Sequence, residues 1–148
     1  MSLSKIVPIE IGREVQARCL CFHTQRAARV LARRFDNVFQ PFGITNGQFS
    51  MMMMLNNAGN PRIGQVAEFL AMDRTTLTAA LKSLERRGLV AVVRDPDDGR
   101  SKRLSLTNAG AKILKSAIPV WRSEHARLEG ELPDVDVGKL RASLRAVG

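Results

Sequence analysis

Residues 63–107 read IGQVAEFLAMDRTTLTAALKSLERRGLVAVVRDPDDGRSKRLSLT, and their patterning decides the fold. Val66, Ala67 and Leu70 recur at helical spacing, and Ala71 and Met72 then make a turn. Asp73 stands where a helix N-cap belongs, because its carboxylate can accept the unpaired N–H groups of a first helical turn. Leu77, Ala80, Leu81 and Leu84 form the apolar stripe of a second helix, and Gly88 sits at its C-cap. Residues 89–94 are rich in β-branched side chains and read as a strand. Asp95-Pro96-Asp97-Asp98-Gly99 is dense in turn formers, and residues 102–106 return as the second strand. The order is a helix-turn-helix followed by a wing.

A helix-turn-helix lays its second helix in the DNA major groove. Thr75, Ala79, Lys82 and Arg86 point away from the apolar stripe, with Thr78 at its edge, so the outward face is small, hydroxylated and basic. The expected DNA contacts are Arg74, Thr75, Thr76, Thr78, Ala79 and Lys82 on this helix and Arg94, Arg100 and Lys102 on the wing. Arg100 follows the Gly99 turn and can extend into the minor groove, with Asp97 or Asp98 holding it. The plain alternatives are a merely solvated basic face on a module that binds protein, and a non-specific architectural DNA binder.

The charge balance favours DNA. The 148 residues carry 23 Lys+Arg against 14 Asp+Glu, a net charge of +9. Such a chain gains from a polyanionic partner through release of condensed counterions. Its size suits one domain with a real core. No apolar run approaches the ~18 residues of a membrane span, and no signal-peptide pattern is present. The two cysteines, Cys19 and Cys21, are too close in one helix to bridge comfortably. A reduced, cytoplasmic protein is expected.

The flanks are helical. Residues 10–42 form one long helical pattern, with Leu20, Ala27, Leu31, Phe35, Val38 and Phe42 on one side and Val15 and Phe22 nearly opposite. Two apolar sides place its first half between its own core and a second protein. Thr45 and Gln48 fit a capping box for a helix over 46–57. Its run Met51-Met52-Met53-Met54 reads as a fully buried helix of adaptable side chains, in preference to a metal or peptide site. Thr107 caps a helix over 108–131 that carries Ile113, Leu114, Ala117, Ile118, Trp121 and Leu128, and Pro119 should kink or interrupt it. A last helix over 135–147 offers Val137, Leu140 and Leu144. The expected fold is mainly α with a small β-wing, one domain over 1–148. Its DNA-binding part is a winged helix-turn-helix at 45–106, and N- and C-terminal dimerisation helices at 10–42 and 107–147 flank it. A twofold homodimer would set two recognition helices on one palindromic site.

Five segments carry a family resemblance: FGITNGQFSMMMML (42–55), DRTTLT (73–78), LKSLERRGLV (81–90), DPDDGRSKRLSLT (95–107) and NAG (108–110). The sequence resembles MarR-family transcriptional regulators over nearly its whole length. The resemblance implies a homodimer built from both termini, a winged reading head on double-stranded DNA and a DNA-contacting arginine at Arg100. It also implies repression relieved by a small phenolic or lipophilic inducer or by oxidation. Leu20-Cys21-Phe22 resembles the start of the first helix in organic-peroxide-sensing members, which makes Cys21 a candidate redox sensor. Arg18 could favour its thiolate. The chain departs from those sensors in having no tyrosine, with Gln25 and Phe35 at the spacings expected for partners. The other inducer is a small aromatic or lipophilic acid, with Arg18 or Arg29 available to its carboxylate.

Enzyme chemistry finds no support, since a Gly-rich phosphate loop, a nucleophile elbow and a catalytic histidine set are all missing. No cofactor and no metal are expected. In Cys19-x-Cys21-x-His23, helical geometry puts Cys19 and His23 on one face and Cys21 on another, so one helix cannot gather them around tetrahedral zinc, and only a site completed across a dimer stays open.

Overall fold

The computed structural model describes residues 6–148, so residues 1–5 of the expected domain lie outside the described residues. Backbone packing groups the chain into two compact units, divided between Arg34 and Phe35.

The first unit holds α1 (Ile9–Arg18) and the start of α2 (Leu20–Phe39). The single helix expected over 10–42 is therefore corrected to two helices and a 3-10 turn at Gln40–Phe42. The first break falls at Cys19, whose φ of −72° and ψ of 110° are extended. Its sulfur accepts the Phe22 N–H at 3.4 Å, the role of an N-cap oxygen. The second break follows from Pro41 and from Gly43, which takes a left-handed φ of 67°. Val15, Leu20, Phe22 and Leu31 are exposed, and burial in α2 begins at Phe35.

The second unit contains the core. The end of α2 supplies Phe35 and the fully buried Phe39, a position the expected stripe omitted. The Thr45 capping box forms as expected and starts α3 (Asn46–Ala58). Phe39 stacks on Phe49 at 4.6 Å. Met51, Met52 and Leu55 are buried with Val66, Leu77, Leu84, Leu104 and Leu114. Met53 and Met54 are only half-buried, which corrects the expectation of a fully buried methionine run.

Then come α4 (Ile63–Phe69) and α5 (Arg74–Arg86). Between them Ala71 adopts a φ of 51°, and the Met72 N–H returns to the Ala67 carbonyl at 2.9 Å. Strands β1 (Val90–Arg94) and β2 (Lys102–Leu106) pair antiparallel, Val90 opposite Leu106 and Arg94 opposite Lys102. The Thr107 hydroxyl caps α6 (Asn108–Gly130) by accepting the Gly110 N–H at 3.1 Å. Of the expected kink or interruption at Pro119, the interruption is absent: α6 continues as one helix through that residue. Pro119 and Lys115 are both exposed, so water can satisfy the carbonyl that loses its helical partner. Asp136 caps α7 (Val137–Val147).

Candidate nucleic-acid interface

The phase of α5 is set by burial. Leu77, Leu81 and Leu84 lie in the core, which turns the opposite face outward. Asp73 starts the helix by accepting the Thr76 N–H at 2.8 Å and the Thr76 hydroxyl at 2.7 Å. The Thr76 amide, then its hydroxyl, hold the Asp73 carboxyl below the usual carboxylate range. Arg74, Thr75, Thr78, Ala79, Lys82 and Arg86 line one open groove of about 490 Å³. The structure thus brings together every expected α5 residue except Thr76, whose hydroxyl is engaged in the cap.

The wing is shaped from within. The Asp98 carboxylate accepts the Arg100 backbone N–H and the Ser101 hydroxyl, both at 3.0 Å. Asp98 therefore orders the turn through the Arg100 backbone. Among the described residues no carboxylate pairs with the Arg100 guanidinium, so the expected tether by Asp97 or Asp98 is corrected. Arg94 and Lys102 are exposed and directly paired across the hairpin. Such like-charge neighbours repel, and an intervening phosphate would relieve them.

The base of the wing rests on a residue that reads from sequence as turn chemistry alone. Asp95 is 2% exposed. It accepts from Arg62 Nε at 2.7 Å and the Asp97 N–H at 2.9 Å, and Arg103 Nε lies 3.3 Å away. The Leu104 N–H donates to the Pro61 carbonyl at 2.9 Å, and Arg103 donates to the Asn60 carbonyl at 3.0 Å. The hairpin is thereby stitched to the segment before α4. Residues 62, 95 and 103 show no shared local pattern; only the net need of a buried acid for a cation could have pointed to them.

The Asp97 amide, followed by the two guanidinium groups, holds the Asp95 carboxyl below its ordinary value. Its folded pKa is thus lower than its unfolded one. The stability it contributes is complete above about pH 4 and is lost as pH falls through the folded value. Asp95→Asn should lower the melting temperature at neutral pH and flatten its fall in acid. Identical melting curves for the two proteins from pH 7 down to acid would show that the cluster is not a structural anchor.

A second cleft, of about 560 Å³, opens between α4, the start of α5 and the wing, with Gly64, Glu68, Arg74, Thr78, Arg100 and Lys102 in its wall. A third hollow, about 860 Å³, lies between α3, the end of α4 and α6. It is walled by Met53, Met54, Phe69 and Trp121, with Arg122 beside them, and Phe69 is 72% exposed.

In the first unit Cys21 is exposed and Cys19 half-buried. Because Cys19 is extended, the premise that both thiols and His23 ride on one helix is corrected. His23 Nε2 lies 3.3 Å from the Ala17 carbonyl. Arg18 pairs with Glu14 at 2.8 Å, and Arg29 donates to Gln25 at 3.2 Å. Phe35, which was a spacing match for a Cys21 partner, packs against Phe39 and His125 in the second unit. No helix among the described residues is long and apolar enough to cross a membrane.

Comparison with known proteins matches residues 44–102 to the MarR family. The chain is 29% identical over 101 residues to the organic hydroperoxide resistance transcriptional regulator of Bacillus subtilis, covering 68% of this chain and 69% of that one. It is 34% identical to the Mycobacterium tuberculosis transcriptional regulator MosR, solved with DNA, at a TM-score of 0.79 over 88% of this chain and 93% of MosR. The transcriptional repressor CouR bound to p-coumaroyl-CoA is 26% identical, at a TM-score of 0.74 over 89% of this chain and 92% of CouR.

Proposed function

Because this chain belongs to the MarR family of DNA-binding transcriptional regulators, which are not enzymes, we propose that it is a cytoplasmic, sequence-specific repressor. It grips a palindromic operator as a homodimer and is released by a chemical signal. The observation that carries this reading is the α5 groove, an uninterrupted outward face of Arg74, Thr75, Thr78, Ala79, Lys82 and Arg86 beside a cationic wing. In it Thr75, Thr78, Ala79 and Lys82 meet base edges. Arg94 and Lys102 meet phosphates, and Arg100 enters the minor groove. Thr76 serves the interface through the cap.

The homodimer is supported by apolar side chains left in solvent at both ends of the chain. Ile9, Ile11, Val15 and Phe22 are exposed in the first unit, and Leu140, Leu144 and Val147 in α7. Exposed apolar surface of this kind marks an interaction face, and a twofold axis would space two recognition helices by about one turn of DNA.

Two observations bear on the releasing signal. The hollow between α3 and α6 has the apolar wall and single cation that a lipophilic or aromatic acid requires. Arg122 is a better anchor for its carboxylate than Arg18 or Arg29, each of which is already bonded on its own helix. A second reading, oxidation, is favoured by the break at Cys19, which removes that thiol from the helical face opposite Cys21. A sulfenic acid formed at exposed Cys21 would then have a thiol two residues away with which to condense.

Footprinting on the DNA upstream of its own gene tests the reading. A short palindromic protected site is expected. Extended protection without symmetry would favour an architectural binder, and no protection a protein-interaction module. Release by an aromatic acid that Arg122→Ala abolishes would support the hollow as the inducer site. Release by organic hydroperoxide that Cys21→Ser abolishes would support oxidation, and release by neither would overturn both signals.

A further inference from the structure

We propose that Gly64 is a positioning residue that seats Arg74 as a phosphate clamp between the recognition helix and the wing. The assignment rests on the operator reading above. Gly64 is the second residue of α4. Its φ is not positive, so the backbone there does not require glycine, and glycine weakens a helix relative to alanine. What the position requires is space. A Cβ on Gly64 would lie 2.8 Å from Arg74 Nη2, 3.6 Å from its Cζ and 3.9 Å from its Nε. The Arg74 guanidinium therefore lies across the bare α-carbon of Gly64.

That seat turns Arg74 toward the cleft it shares with Arg100 and Lys102. Glu68, one turn further along α4, lines the same cleft. Among the described residues no carboxylate lies within ion-pair distance of Arg74. The cleft thus presents four cations, Arg62, Arg74, Arg100 and Lys102, and one acid; Arg62 is already paired with Asp95, whereas Arg74 is not neutralised by a carboxylate among the described residues. A DNA strand that leaves the major groove filled by α5 for the minor groove reached by the wing must carry its phosphates past this cleft. Arg74 is placed for such a phosphate. Base reading is left to Thr75, Thr78, Ala79 and Lys82. The planar guanidinium fork suits a phosphate.

The test is a double-mutant cycle in the full chain. Gly64→Ala, Arg74→Ala and the combined variant are compared with the native protein. Duplexes selected from random sequence, and scrambled versions of them, are titrated over a range of salt, with thermal melting in parallel. Arg74→Ala is expected to weaken both duplexes by a similar factor, on the order of tenfold, and to reduce the slope of log affinity against log salt by about 0.9. Gly64→Ala is expected to reduce the slope in the same way with its melting temperature unchanged or raised. The combined variant should bind no more weakly than Arg74→Ala alone. Additive losses, native-like binding by Gly64→Ala, or an Arg74→Ala variant that changes base preference with its salt slope intact would overturn the assignment while leaving the operator reading standing. A native chain that binds neither duplex would overturn the operator reading itself.

Discussion

Replacing Thr78 and Lys82 together with alanine is expected to weaken operator binding by more than about 2 kcal/mol, roughly thirtyfold, at fixed salt, since a good base contact discriminates by ~1–3 kcal/mol. Both side chains are exposed and line the α5 groove. The residues that hold α5 in place, Leu77, Leu81 and Leu84, lie on its other face. Alanine is at least as good a helix former as threonine or lysine, so the melting temperature should not fall. Arg100→Ala should act alike from the wing, because the turn is ordered by Asp98 bonding the Arg100 backbone and the Ser101 hydroxyl. That variant should lose operator affinity while keeping its oligomeric state and melting temperature. The measurement is fluorescence anisotropy on an operator duplex beside thermal denaturation. Native affinity in the Thr78/Lys82 variant would mean that this face does not meet DNA, and unfolding of Arg100→Ala would mean that the arginine is structural.

Gly110→Ala is expected to destabilise the protein by about 3 kcal/mol, the upper part of the range for overpacking a core. Gly110 is buried near the start of α6. A Cβ there would overlap the Leu89 carbonyl oxygen and come within 2.7 Å of Leu106 Cδ1. The first obstacle is backbone, which cannot rotate away as a side-chain tip can. It also belongs to a bonded corner, in which the Thr107 N–H donates to the Leu89 carbonyl at 3.2 Å and the Thr107 hydroxyl to the Gly88 carbonyl at 2.7 Å. Yielding to the new methyl would loosen the α6 cap and the end of the hairpin together. Denaturant titration measures the effect. A midpoint equal to the native one would show that the corner relaxes freely. Within the NAG segment, Gly110 thus permits the close approach of α6 to the ends of the hairpin, which a resemblance alone does not explain.

Much of the reading head was legible because its determinants are local. The Asp73 cap, the Leu77–Leu81–Leu84 stripe, the 102–106 strand and the Thr45 and Thr107 caps each depend on residues within about one turn or one hairpin of each other. The misreadings have local and non-local causes. At Cys19 a sulfur took the capping role that sequence rules assign to oxygen, so the break was invisible to periodicity. At Pro119 the helix is not interrupted, because exposure, which composition does not reveal, lets water satisfy the freed carbonyl. At Thr76, propensity does not tell which of three neighbouring hydroxyls closes the Asp73 cap; the structure gives that bond to Thr76.

The sequence by itself determined the order of elements from α3 onward, the rotational phase of α5 and the cationic character of its outward face. These follow from side-chain spacing and cap chemistry acting over a few residues. Only the tertiary structure decided that Asp95 is the buried anchor of the wing between Arg62 and Arg103, and that Gly64 makes room for Arg74. It alone placed Gly110 against Leu89 and set Arg122 beside an apolar hollow. Each of these is a meeting of residues from different elements. No spacing rule along the chain records such a meeting; it arises when burial of the shared core fixes how those elements stack.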